Sequence, residues 1–253
     1  MRLKDKVAII TGGGQGIGKA EAIRFAQEGC AVMVAQRNAA VAEAAANEIK
    51  AKGGNAAFCG VDVQVTEQVE AMVAKTVTTF GKVNILVNNA AFFGGIGYKR
   101  WDTWTLEEWQ RSFMTNLVVS WQCAKAVFPH MKKAGKGKII NTYSTTANMG
   151  FPGLLPYTTS KAAIHTLTRC LARALGRYNI CVNTISPGYV LTEASLQMPG
   201  GSREADKKLV ETRCLQRDSY ADDVAGPALF LASDDSDFVT GQLLIADGGD
   251  TMV

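Results

Sequence analysis

At 253 residues, with 47% hydrophobic and 20% charged side chains, the chain can bury one full core and reads as an ordinary globular domain. Its net charge of +4 is small, and the densest basic run (Lys132, Lys133, Lys136, Lys138) is broken by glycines, so no nucleic-acid partner is expected. No apolar stretch reaches the ~20 residues that span a bilayer, and no signal segment precedes the first strand, so no membrane partner and a cytoplasmic location are expected.

In chain order, Val7-Ala8-Ile9-Ile10 reads as a buried strand, followed by glycines and a helix with Ile17, Ala20, Ile23 and Ala26 on its apolar face. Ala31-Val32-Met33-Val34 is the second strand, and a helix over 39–52 ends at Gly53-Gly54. Ala56-Ala57-Phe58 leads the third strand, and 66–80 the third helix. Ile85-Leu86-Val87 and Lys138-Ile139-Ile140 are strands separated by one long helical region over 106–131. A helix over 157–178, a strand over 180–185, a helix over 221–232 and the strand Leu243-Leu244-Ile245 complete the pattern. Strict alternation predicts an α/β fold, a doubly wound parallel sheet of about seven strands with helices on both faces, in a single domain over 1–253. The non-alternating stretch 191–213 follows a strand's carboxyl end, where ligands of such sheets bind, and reads as a substrate-covering flap.

The six cysteines form no Cys-x-x-Cys pair, and neither His130 nor His165 has a partner at ligand spacing, so no metal is expected. Tyr157 and Lys161 are four residues apart on a predicted helix and share a face. A neighbouring ammonium favours the phenolate of a tyrosine whose ordinary pKa is ~10, which suits proton exchange near neutrality. Ser144 lies thirteen residues upstream and can hydrogen-bond the same substrate oxygen. This is chemistry for interconverting an alcohol and a carbonyl, and it needs a hydride carrier.

Between the first strand and helix stands Thr11-Gly12-Gly13-Gly14-Gln15-Gly16-Ile17-Gly18, which fits T-G-x3-G-x-G and not G-x-G-x-x-G. Glycines there allow a tight turn and let a pyrophosphate approach the helix N-terminus. With Asp62-Val63, Asn88-Asn89-Ala90-Ala91, Asn116, the Tyr157/Lys161 pair and Pro187-Gly188-Tyr189-Val190-Leu191-Thr192, this resembles the short-chain dehydrogenase/reductase family over essentially the whole chain. One departure is Ala91, where the family's N-N-A-G segment has glycine.

The resemblance implies a Rossmann-type fold with Tyr157 as acid/base, Ser144 polarising the carbonyl, Lys161 lowering the Tyr157 pKa and binding the nicotinamide ribose, and Asn116 completing a proton relay. It implies cofactor contacts from Gly12, Gln15, Gly16, Ile17, Gly18, Gln36, Arg37, Asp62, Val63, Asn88, Ala90, Tyr157, Lys161, Pro187, Gly188, Val190 and Thr192. It also implies a homotetramer paired through the helices over 106–131 and 157–178. After the second strand the chain has Gln36-Arg37 in place of the acid that NAD enzymes use to bond ribose hydroxyls. A guanidinium suits a 2′-phosphate, so NADP(H) is favoured; Gln15, where many NADP-preferring members carry a second basic residue, keeps NAD(H) open.

Phe92, Phe93, Thr146, Met149, Tyr189, Leu196 and Met198 are the expected substrate-facing residues, an apolar lining for a hydrophobic ketone or secondary alcohol, cyclic or aromatic. The alternative of the same chemistry is a 3-oxoacyl-thioester reductase, for which Lys99-Arg100 and Lys207-Lys208 would have to meet an acidic carrier. A non-catalytic dinucleotide-binding regulator is the remote alternative; such a protein would be expected to lose Ser144, Tyr157 or Lys161, and all three are present.

Overall fold

The structure, a computed structural model, describes residues 1–93, 96–198 and 203–252. Seven parallel strands form one sheet: β1 (Val7–Thr11), β2 (Ala31–Gln36), β3 (Asn55–Gly60), β4 (Ile85–Asn88), β5 (Gly137–Thr142), β6 (Ile180–Pro187) and β7 (Leu243–Ala246). Their order is β3-β2-β1-β4-β5-β6-β7, so the chain reverses direction across the sheet between β1 and β4. Strands β1, β4, β5 and β6 are buried along their whole length, as central strands of a parallel sheet covered on both faces are.

The helices are α1 (Gly16–Gln27), α2 (Ala39–Ala51), α3 (Thr66–Phe80), α4 (Leu106–Phe113), α5 (Val119–Ala134), α6 (Thr146–Met149), α7 (Leu155–Leu175), α8 (Glu193–Leu196), α9 (Arg203–Glu211) and α10 (Ala221–Ala232). Alternate strand residues point to opposite faces. Ile10, Val34, Val87 and Ile185 therefore pack with α1, α2 and α10. Ile9, Met33, Leu86 and Val182 pack with α3, α5 and α7. Burial of each such side chain contributes roughly 1.5–3 kcal/mol, so the two apolar layers hold the helices to the sheet.

Three expectations change. The single helix over 106–131 is two helices joined by a π-turn at Met114–Val118, and Asn116 lies in that turn. The buried face of α1 is Gly18, Glu21, Ala22, Phe25 and Ala26 rather than the stripe through Ile17 and Ile23. The flap contains two helices, α8 and α9, while its residues 199–202 lie outside the described residues. Among the described residues no helix is long and apolar enough to cross a membrane.

Candidate active site

The glycine loop leaves β1 at the point where strand order reverses. Thr11 anchors it: the Thr11 hydroxyl accepts from the amides of Asn89 (3.1 Å) and Ala90 (3.2 Å) and donates to the Val87 carbonyl (3.2 Å). The Asn89 side chain donates to the carbonyls of Thr11 (3.1 Å) and Gly12 (3.3 Å). Gly12 and Gly16 adopt φ of +68° and +53°, a region where a side chain is strained. A Cβ on Gly18 would lie 2.4 Å from the Asn89 amide nitrogen and 2.5 Å from the Gly12 carbonyl oxygen. Beyond the loop, α1 begins at Gln15 with no side-chain cap and no acid in its first turn. Its orphan amides and dipole favour an anion, so loop and helix fit a dinucleotide pyrophosphate. Gly18→Ala is expected to push Asn89 off the loop and raise the dinucleotide dissociation constant by about tenfold or more at an unchanged circular dichroism spectrum, measurable by fluorescence titration.

Asn89, absent from the sequence-based set, is thus the amide that touches the loop. Asn88 points the other way and is buried: its side chain donates to the Ser120 carbonyl (3.1 Å) and to Asn141 Oδ1 (2.9 Å). Asn141 in turn donates to Thr168 (2.9 Å), which also accepts from Thr184 (2.8 Å). These residues form a satisfied polar row beneath the site, across β4, β5 and β6. Ala90 stays near the loop through Thr11, and Ile17 and Gln15 lie at the start of α1.

At the edge of the crevice, Gln36 ends β2 and the exposed Arg37 follows it, with no bond or ion pair of its side chain among the described residues. The Asp62 carboxylate accepts from the Gln64 amide (3.0 Å), and Val63 is buried in the core. Pro187 ends β6, and Gly188 is pressed against Asp247, whose Cβ stands 2.8 Å from where a Cβ of Gly188 would be. The Val190 carbonyl accepts from Ser195 (2.8 Å). Thr192 caps α8 and brings its methyl within 3.4 Å of where a Gly16 Cβ would stand, so this segment closes on the glycine loop.

Tyr157 and Lys161 both leave α7 into the buried interior, at 7% and 2% exposure. The Lys161 ammonium lies 5.8 Å from the centre of the Tyr157 ring and donates to the Thr142 carbonyl (2.8 Å). Burial pushes the Tyr157 phenol up to about 12, with the Ser144 hydrogen bond pulling it partly back. Burial also lowers Lys161 to about 7. Desolvation disfavours the charged form of each group.

Ser144 Oγ accepts from both the Thr146 hydroxyl (2.9 Å) and the Thr146 amide (3.3 Å). Both lone pairs being engaged, the Ser144 proton is directed toward Tyr157 or toward an oxygen bound beside it. Thr146, expected against substrate, thereby orients Ser144. Asn116 is 1% exposed and its side chain is fully engaged elsewhere. It accepts from the Phe92 amide (2.7 Å) and donates to Ser160 (3.0 Å) and Ser112 (3.3 Å).

Phe93 packs on Tyr157 with ring centres 5.3 Å apart. Ile96, Leu154 and Met198 are buried around Tyr157, with Phe92, Phe93 and Trp104 against them. Ile96 and Leu154 come from separate segments and no spacing pointed to them. Phe92 is covered by the Arg111 guanidinium at 3.8 Å. Met149 (47% exposed) and Leu196 (50%) stay outside this cluster, and the Tyr189 carbonyl bonds Arg213. Among the described residues no group of three or more His, Cys, Asp or Glu side chains is placed to hold a metal.

The site is thus a buried phenol between a hydroxyl and an amine, beside a glycine-lined crevice. A short-chain dehydrogenase family model, described as enoyl-(acyl carrier protein) reductase, matches residues 12–251. A probable galactose dehydrogenase of Rhizobium meliloti (strain 1021) is 38% identical over 248 residues, covering 98% of this chain and 95% of that one. The 7alpha-hydroxysteroid dehydrogenase of Escherichia coli (strain K12) is 38% identical over 251 residues, with the same coverage. A solved 7alpha-hydroxysteroid dehydrogenase, in complex with NADH and 7-oxo glycochenodeoxycholic acid, superposes with a TM-score of 0.92 at 37% identity, covering 98% of this chain and 95% of that one. The fold, the matched model and these relatives agree: the chain is an oxidoreductase of the short-chain dehydrogenase/reductase family.

Proposed function

We propose that the protein interconverts a hydrophobic secondary alcohol, cyclic or aromatic, and its ketone, with Tyr157 as the acid/base. The observation that carries this reading is the apolar enclosure of Tyr157 by Phe93, Ile96, Leu154 and Met198. A bulky uncharged substrate matches that wall, and its oxygen would replace water between Tyr157 and Ser144. The bound dinucleotide supplies or accepts the hydride. Tyr157 holds a proton at Oη through the neutral range and gives it to the oxygen on which negative charge develops; Ser144, oriented by Thr146, is the second donor to that oxygen. Asn116 fixes the Phe92 backbone beside the pocket. Gly12, Gly16, Gly18, Val190 and Thr192 would hold the dinucleotide, and Lys161 its nicotinamide ribose.

In the acyl-thioester alternative, Lys99 is paired with Glu108 and Arg100 with Asp102 at 2.6 Å, which leaves the exposed Lys207 and Lys208 to meet an acidic carrier. Relatives whose names specify hydroxysteroid and galactose substrates favour a ring-borne alcohol. A homotetramer in the cytoplasm belongs to the same reading; Trp121 on α5 is 47% exposed and supports a subunit contact there.

The test is dinucleotide oxidation by purified protein offered a cyclic or aryl ketone and a 3-oxoacyl thioester, each with NADPH and NADH. Turnover of the ketone supports the proposal; thioester preference, or no turnover of either, overturns it. NADP(H) is the favoured partner because the Arg37 guanidinium is unpaired and solvent-facing at the end of β2, with NAD(H) accepted more weakly. Arg37→Ala is accordingly expected to raise the dissociation constant of NADPH by about tenfold and to leave that of NADH within about twofold. Equal losses for the two would mean that Arg37 contacts adenine instead.

A further inference from the structure

Arg213 is only 4% exposed, yet among the described residues its guanidinium bonds carbonyls and no carboxylate. Nη2 donates to the Tyr189 carbonyl (2.7 Å), Nη1 to the Arg217 carbonyl (3.2 Å), and Nε is buried without a partner. Asp223, whose pKa Arg213 helps to lower, is already engaged by Arg217 through two bonds of 2.8 and 2.6 Å. A buried guanidinium held by carbonyls carries a desolvation cost, and its bonds here are made at a junction of three segments. The chain leaving β6 is tied to the returning chain by the Leu191 amide on the Ser219 carbonyl (2.9 Å), and the returning chain to the carboxyl-terminal stretch by the Leu215 amide on the Gly248 carbonyl (2.9 Å). Arg213 is the side chain that joins these ties, with its Cδ 3.6 Å from where a Cβ of Gly248 would stand.

From Tyr189 the connection runs on to the site. Ser195 donates to the Val190 carbonyl (2.8 Å), accepts from the Thr192 amide (2.9 Å), and its own carbonyl accepts from the Met198 amide (3.3 Å). Met198 is buried against Tyr157. We infer that Arg213 is a positioning residue: by holding the Tyr189 carbonyl it sets the place of the segment from Val190 to Met198, and so the fit of the ketone over Tyr157 and of the dinucleotide beside Thr192. The inference rests on the proposed function for its kinetic readout only.

The experiment compares wild type with Arg213→Met, Arg213→Gln and Arg213→Lys, using decalone as ketone and NADPH as dinucleotide. Arg213→Met should raise the KM for decalone about tenfold with kcat within about threefold, and weaken NADPH in the same direction. Tryptic cleavage at Lys207 and Lys208, well below the melting temperature, should be faster in that variant. Arg213→Lys, which keeps a donor for the Tyr189 carbonyl, should recover most of the loss. A lower Tm with KM, NADPH affinity and cleavage rate all unchanged would overturn the inference and leave Arg213 a structural residue. If Arg213→Met does not fold, Arg213→Gln decides: a raised KM at preserved kcat supports the inference, an unchanged KM overturns it. Should the wild type reduce no ketone, the proposed function fails separately, and NADPH affinity with the cleavage rate still judges Arg213.

Discussion

Tyr157→Phe is expected to lower turnover by about 10²–10⁴-fold while leaving the dinucleotide dissociation constant within about twofold. The substitution removes one hydroxyl, which bonds Ser144, and keeps the ring that packs on Phe93. Binding contacts at the glycine loop are untouched, so affinity and chemistry should separate. The pH profile gives a second readout. With the phenol near 12 and Lys161 near 7, the phenol is protonated throughout the neutral range. Ketone reduction consumes that proton and should be nearly level from pH 6 to 9. Alcohol oxidation needs the phenolate and should climb by about tenfold per pH unit over the same range, wherever proton removal limits the rate. Steady-state rates in both directions check this. Turnover near wild type in the phenylalanine variant, or a climb retained in it, would remove Tyr157 from its assigned role.

The parallel, doubly wound sheet and the family were legible because alternation and glycine spacing are local properties of the chain. The bounds of α3 and α10 follow from local signals too: Gly81, with φ of +83°, closes α3, and Asp222 and Asp223 open α10. What spacing does not carry is the choice between adjacent residues on opposite faces. Asn88 and Asn89 are chemically identical in sequence, yet a strand's period of two sends one into the polar row and the other onto the glycine loop. The π-turn at Asn116 is invisible for a related reason. One extra residue in a helix hardly disturbs an apolar pattern, and the turn is fixed by the Phe92 amide, more than twenty residues away. The wall around Tyr157 draws Ile96, Trp104, Leu154 and Met198 from loops that only the fold brings together. The Lys161 electrostatics could not be read from a four-residue spacing either, since the deciding quantity is how deeply both groups are buried.

Glu21 shows the same limit from the other side, and it carries the largest expected effect on stability. A carboxylate ordinarily stays in solvent, whereas the helix buries Glu21 completely beside Gly18, Ala22 and Phe25, with both carboxylate oxygens unpartnered among the described residues. Burial pushes its pKa from an ordinary 4.5 up to about 8. Between those values the folded protein holds a proton that the unfolded chain has lost. Stability from this group is therefore full below about pH 4.5, declines as pH rises, and is gone once pH passes about 8. At about 1.4 kcal/mol per pKa unit, the total is on the order of 5 kcal/mol. Lys161 acts in the opposite sense over its own window. Its pKa of about 7, against an ordinary 10.5, makes stability rise as pH goes from 7 to 10.5. Glu21→Gln keeps the shape and removes the titration, so the Lys161 contribution cancels in the difference between variant and wild type. Near pH 5 the variant should match wild type or be slightly less stable, because its amide N–H groups are buried without acceptors. By pH 9 it should be the more stable protein, with its denaturation midpoint in urea clearly higher. Parallel pH profiles for the two proteins would mean that Glu21 is ionised in the fold and has found a counter-charge on the helices packed against α1.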